Sequence, residues 1–234
     1  MRTRQFILET DRERIACTEL SPDVRRARVL IMHGAGQANQ RRYAEFAADL
    51  ATEGLAVNTF DFSGHGESSG RLADLSLARR LRQAEAVLDA VNEERDPLML
   101  MGFSMSGQTV CDLLAGGRHD VRAVVLGCPA TYTPKVWELP FGQPEFTAEL
   151  RRPESWREST AFATLAAFPG RIVMLRPRVD EAIPPEVTEA LLRSCPAERT
   201  EDIVLEDATH KIYDWMNRYP RERGSLAAKI AKLA

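Results

Sequence analysis

Gly102-Phe103-Ser104-Met105-Ser106-Gly107 follows directly on the apolar run Pro97-Leu98-Met99-Leu100-Met101. A short apolar run of this kind reads as a strand buried on both faces. Val110, Leu113 and Leu114 then recur at helical spacing, so Ser104 falls where a strand turns sharply into a helix. A serine in that turn projects its hydroxyl from the strand end. The next backbone N–H lies near a helix N-terminus, where it can hold a negative oxygen. This is the local geometry that acyl transfer requires. The usual form of the turn is Gly-x-Ser-x-Gly, and here the fifth position is Ser106, with Gly107 after it. Serine is only slightly larger than glycine, so a crowded but intact turn is expected.

Outward from this stretch, strand and helix signals alternate. Gln5–Leu8 and Arg14–Cys17 read as two strands joined by a polar turn. Val29–Met32, Leu55–Phe60, Val121–Leu126, Ile172–Leu175 and Ile203–Leu205 read as further strands. Helices are expected over Tyr43–Glu53, Leu75–Val91, Glu186–Leu192 and from Ile212 onward. In the second of these, Leu77, Leu81, Ala84 and Leu88 form the apolar face. Arg79, Arg80 and Arg82, near Glu85, Glu93 and Glu94, read as a solvated one. Repeated strand–helix units imply an α/β fold with a mostly parallel central sheet and helices on both faces, its chemistry at the carboxyl ends of the strands.

One domain is expected over 1–234, interrupted by an irregular, proline-rich segment at about 130–158 that reads as a small cap. Trp137, Phe141 and Phe146 in that segment are candidate substrate-binding residues, forming an apolar acyl pocket or packing the cap onto the domain.

Charge and cysteine usage exclude several classes. A net charge of −3 makes no case for nucleic acid or an anionic membrane as partner. Cys17, Cys111, Cys128 and Cys195 are far apart and form no Cys-x-x-Cys pair, so neither a metal cluster nor a disulfide framework is expected. No apolar run approaches the roughly 20 residues of a membrane span, and residues 1–11 lack the pattern of a signal peptide. A cytoplasmic protein with no stable membrane insertion is therefore expected. The terminal segment Leu226–Leu233 is amphipathic enough to pack on the sheet or to contribute to a homodimer.

A serine hydroxyl needs a base to take its proton and an acid to orient that base. His210, five residues after the final strand run, is in the place expected for the base. Asp180, in the loop after Ile172–Leu175, leads for the acid, with Glu181 and Asp207 as rivals. The order Ser104, Asp180, His210 matches one hydrolase architecture and neither common protease order. The amides of Met105 and Ala35, the latter in the small-residue loop His33-Gly34-Ala35-Gly36, are the candidate oxyanion donors.

Three motifs now carry a family resemblance: Met32-His33-Gly34-Ala35-Gly36, Asp61-Phe62-Ser63-Gly64-His65-Gly66-Glu67-Ser68 and the turn at Ser104. The chain resembles the α/β-hydrolase superfamily, in particular its serine-aminopeptidase-like and monoacylglycerol-lipase-like branch. That resemblance implies Ser104 as nucleophile, His210 as base and then acid, and Asp180 as orienting acid. It also implies that Asp61 and His65 are structural. The expected activity is esterase-like cleavage of a small-molecule ester or acyl substrate through an acyl-enzyme, with no metal and no organic cofactor. Peptide, amide or thioester cleavage on the same triad, or ligand binding without catalysis, are the alternatives.

Overall fold

Every residue of the apolar run Leu98–Phe103 is buried, and its side chains divide by parity. Leu98 and Leu100 enter one hydrophobic core, while Met99, Met101 and Phe103 enter another on the opposite face. A strand can bury both faces only when covered on both sides, and this one lies in the middle of the sheet. The computed structural model describes residues 1–234.

In chain order the elements are β1 (Arg2–Thr10), β2 (Glu13–Ser21), β3 (Ala27–Met32), α1 (Ala44–Thr52), β4 (Leu55–Phe60), α2 (Leu77–Val91), β5 (Leu98–Phe103) and α3 (Ser106–Gly116). There follow β6 (Val121–Gly127), α4 (Pro144–Arg151), α5 (Ala161–Ala167), β7 (Arg171–Pro177), α6 (Pro185–Ser194), β8 (Thr200–Leu205), α7 (Ile212–Arg218) and α8 (Pro220–Ala231). The eight strands form one sheet in the order β1-β2-β4-β3-β5-β6-β7-β8. β1 and β2 pair antiparallel, as do β2 and β4, and every pairing from β4 through β8 is parallel. This is the mostly parallel α/β architecture expected from the strand–helix alternation.

One core packs α2, α3, α5 and α6 on the sheet, and the other packs α1, α7 and α8 on its reverse. The apolar side of α8, Leu226, Ala227, Ile230 and Ala231, is buried in the second core. All four cysteines are buried free thiols. No helix is long and apolar enough to cross a membrane.

Three expectations need correction. The terminal helix is two helices, because Pro220 begins a new one and Tyr219 before it leaves the helical region (φ −120°, ψ 73°). The segment at 130–158 contains α4 and two 3-10 turns, and α5 follows it before β7, where periodicity indicated no helix. The third concerns Arg80, which is not solvated but fully buried, with 0 % exposure. Helical spacing explains this, since position 80 lies three residues from Leu77 and four from Ala84 on the buried face of α2.

Candidate active site

Ser104 sits at φ +52°, a left-handed conformation that costs a non-glycine residue of order 1–3 kcal/mol unless its surroundings impose it. Here they do. The Ser104 amide donates to Gly127 O (2.7 Å), and its carbonyl accepts from Gly107 N (2.9 Å) and Ala130 N (3.0 Å). Three small residues permit this closeness: a Cβ on Gly107 would lie 2.5 Å from Pro129, one on Gly127 2.3 Å from Phe103, and one on Gly34 3.0 Å from Ser104 Cβ.

The loops after β7 and β8 bring Asp180 and His210 to the same rim of the sheet. His210 Nε2 lies 3.0 Å from Ser104 Oγ, and His210 Nδ1 lies 3.0 Å from both oxygens of Asp180. Burial pushes the Asp180 carboxyl up, but the hydrogen bond from His210 and the amides of Ile183 and Ala182 outweigh it and leave the pKa below its ordinary value. An ionised Asp180 accepts the Nδ1 proton, so Nε2 carries the lone pair that faces the serine hydroxyl. The side chains of His210 and Asp180 are 17 % and 10 % exposed, so the pair is shielded yet reachable. Of the rival acids, Glu181 accepts the backbone amide of His210 (3.1 Å) rather than its ring. Asp207 is exposed and makes no bond to His210.

Sequence reasoning assigned no part in the site to Cys128. Its Sγ shares with an Asp180 oxygen and a His210 nitrogen a cluster whose atoms all lie within 4.8 Å of one another. Burial, and then the charge of Asp180, drive the thiol's pKa far up, so it stays a neutral donor beside that carboxylate.

The amides of Ala35 and Met105 donate to no other group of the protein. Both residues lie beside Ser104: Ala35 lines the same cleft, and Met105 is the next residue at the start of α3. The cleft holds about 530 Å³ and is walled by Tyr43, Phe103, Ile212 and Tyr213, with Arg42 and Lys211 at its edge. Tyr43 stacks on Phe103 at 4.4 Å and meets Tyr213 edge-on at 6.0 Å, while the Arg42 guanidinium lies 5.0 Å from the Tyr213 ring centre. The sequence marked none of these wall residues as substrate-binding, because apolar residues at strand ends and helix starts read as ordinary core.

The aromatic candidates from the cap are placed elsewhere. Phe146 is buried in a small cluster with Leu77, Met105 and Val136, and Phe141 packs on it with ring centres 4.8 Å apart. Trp137 joins that cluster and lines a separate hollow of about 320 Å³ with Leu77, Gln108, Asp112 and Tyr132. None of the three lines the cleft beside Ser104.

Asp61 and His65 do not bond to each other. Asp61, 1 % exposed, accepts the amides of Gln40 (2.7 Å) and Glu67 (3.0 Å) and the Gln40 side chain (3.1 Å). His65 Nδ1 lies 3.1 Å from Ser63 O. Asp61 and His65 thus bind the turn after β4 rather than a substrate.

Asp112 beside the second hollow has a titration that can be read in stability. Burial pushes its carboxyl from 3.8 up to about 7, and the hydrogen bond from Gln108 offsets only part of this. Between those values the folded chain holds a proton that the unfolded chain has lost, so stability falls as pH rises through the window. Asp112→Asn keeps the acceptor for Gln108 and removes the penalty. Urea unfolding at pH 4 should find the variant and parent nearly equal, and at pH 8 the variant more stable by up to about 4 kcal/mol. An equal gap at both pH values would contradict the assignment.

A curated protein of Dictyostelium discoideum, named as an uncharacterized abhydrolase domain-containing protein, is 34% identical over 104 residues. The match covers 43% of this chain but only 11% of that protein. Among solved structures, the monoacylglycerol lipase of Paleococcus ferrophilus superposes with a TM-score of 0.70 at 18% identity, covering 92% of this chain and 98% of that one. Est1E from Butyrivibrio proteoclasticus, solved with ferulic acid, gives 0.70 at 17% identity, covering 94% and 99%. A thioesterase domain from the curacin biosynthetic pathway gives 0.72 at 14% identity over 100% of both chains. At these identities the likeness is one of fold. The family model described as Serine aminopeptidase, S33 matches residues 23–152, more than half of the sequence and including the loop at His33, the turn at Asp61 and the elbow at Ser104. The chain therefore belongs to this hydrolase family of the α/β-hydrolase fold.

Proposed function

We propose that the protein hydrolyses carboxylic esters of small acyl compounds through an acyl-enzyme formed on Ser104. The observation that carries this reading is the unbroken hydrogen-bond chain Asp180–His210–Ser104, each link 3.0 Å. His210 takes the hydroxyl proton as Ser104 Oγ bonds to the carbonyl carbon. The carbonyl oxygen, now negative, accepts from the Ala35 and Met105 amides. Collapse expels the alkoxide, which leaves with the proton from His210. Water then attacks the acyl-serine, giving its proton to His210, and the carboxylic acid departs as Ser104 recovers its hydrogen. Every step is carried by side chains and amides of this chain, so the scheme calls for no cofactor.

Ester rather than peptide is favoured by the cleft itself. An aminopeptidase must hold a free α-ammonium, but the cleft lining contains no carboxylate and two cations, Arg42 and Lys211. An alkoxide also leaves more readily than an amine. The family description as a serine aminopeptidase supports amide cleavage as the second reading.

The test is a panel of p-nitrophenyl esters, aminoacyl anilides and acyl-CoA thioesters, with a fluorophosphonate to trap the nucleophile. Ester turnover should exceed anilide turnover, and the adduct mass should map to the peptide containing Ser104. Labelling of another residue, or none, would end the proposal; preferential anilide cleavage would favour the second reading.

A further inference from the structure

The departure from the usual elbow, Ser106 in place of glycine, is engaged in a closed triangle with two other groups. Ser106 is fully buried, and its Oγ donates to the His33 carbonyl at 2.6 Å. The Arg80 Nη2 donates to that Oγ at 2.6 Å and to the same carbonyl at 2.8 Å. The guanidinium carbon lies 3.7 Å from the centre of the Phe62 ring.

Such an arrangement is costly. Arg80 meets a carbonyl and a hydroxyl but no carboxylate, and its Nε and Nη1 find no acceptor. Burial lowers its pKa to about 9, which still leaves a cation at neutral pH. A buried charge without a counter-ion is among the least favourable features a core can hold.

The beneficiary of the triangle is the loop after β3. The His33 carbonyl is fixed by Arg80 and Ser106, and the next carbonyl, that of Gly34, is 2.6 Å from His33 Nδ1. The imidazole is itself held, because its Nε2 accepts the Phe62 amide at 3.1 Å, so Nδ1 carries the proton and donates. The Gly34 carbonyl and the Ala35 N–H belong to one planar trans peptide and point in opposite directions. Holding that carbonyl therefore aims the Ala35 N–H the other way. Two consecutive peptide planes are thus set by their oxygens, and Ser106 ties them to α3, which presents the Met105 amide.

We infer that Arg80 and Ser106 are positioning residues that clamp the His33–Gly36 loop to the elbow and keep the Ala35 and Met105 amides in donor geometry. The inference rests on the acyl-transfer reading of Ser104. Because the clamp acts through the loop, its loss is felt where the oxyanion forms and hardly at all in substrate binding.

The test uses Ser106→Gly, which restores the usual elbow, Arg80→Met, which keeps the length and removes the charge, and the double variant. Each should lower kcat by about 10- to 100-fold, less than outright loss of a donor, with KM within about twofold. Fluorophosphonate inactivation should slow by a similar factor, and the double variant should be no worse than the poorer single. Arg80→Met should unfold at the same temperature as the parent or higher, since an apolar side chain replaces an unpaired buried charge. Unchanged kcat, or a kcat loss that only tracks a lower melting temperature, overturns the clamp. If the parent neither turns over esters nor reacts with the phosphonate, the acyl-transfer reading has failed instead.

Discussion

Ser104→Ala should lower kcat for the preferred ester by about 10⁶, and adding His210→Ala should cost almost nothing more. The two side chains act as one device. The base has no catalytic value without a hydroxyl to deprotonate, and the hydroxyl is inert without a base 3.0 Å away. Asp180→Asn should be milder, about 10⁴, because the amide offers Nδ1 the wrong hydrogen-bonding partner while leaving the serine and base in place. The remaining rate over uncatalysed hydrolysis would come from the two free amides and from binding. Active-site titration and single-turnover kinetics with a p-nitrophenyl ester measure these three variants and His210→Ala alone. Additive losses for Ser104 and His210 would mean that they do not work as a pair, and a Ser104→Ala protein with ordinary turnover would place the chemistry elsewhere.

Gly102→Val should damage folding severely. A Cβ at residue 102 would lie 2.3 Å from the Ser106 carbonyl oxygen and 2.6 Å from Val110 Cγ2. Neither can yield easily. The carbonyl belongs to the first turn of α3, and moving it displaces the elbow, while Val110 is fully buried in the core beneath. The loss should reach or exceed the roughly 3 kcal/mol at the upper end of ordinary overpacking, with Gly102→Ala somewhat less severe. Gly224→Ala is the matched control. It lies in α8 with nothing within 4 Å of an added Cβ, and should gain up to about 1 kcal/mol from helix propensity. Urea unfolding midpoints decide the matter. A Gly102→Val chain as stable as the parent would show that the strand and helix are not in the contact described.

Much of the candidate site was legible before any coordinates. The apolar run ending at Met101, the small residues around Ser104 and the helical spacing after it are local signals, and they foretold an elbow with its serine at the strand end. His210 and Asp180 were placed by the same reasoning, as polar residues in loops after apolar runs. Of the oxyanion candidates, Met105 followed from its place at the start of the helix and Ala35 from the small-residue loop after β3. These readings needed only the periods of strand and helix and the expectation that a parallel sheet carries its chemistry at one rim.

The cap aromatics illustrate where that reasoning stops. Trp137, Phe141 and Phe146 are apolar whether they line an acyl pocket or pack against Leu77 and Met105, and the structure places them against those neighbours. The walls of the cleft come instead from Tyr43, Phe103 and Tyr213, which are far apart in sequence. Arg80 is a different case, since its helical spacing marked the buried face and only its charge argued for solvent.

The amino-acid order by itself determined the alternation of strands and helices, the elbow at Ser104 and the sequence of the three candidate catalytic groups, because each depends on backbone preferences and on residues a few positions apart. Tertiary structure alone decided which aromatics face the serine, that the Asp112 carboxyl is desolvated, and that an arginine lies buried between Phe62, Ser106 and the His33 carbonyl. Those outcomes depend on which distant segments meet, and on the burial and polar partners they then share, and neither is encoded in local periodicity.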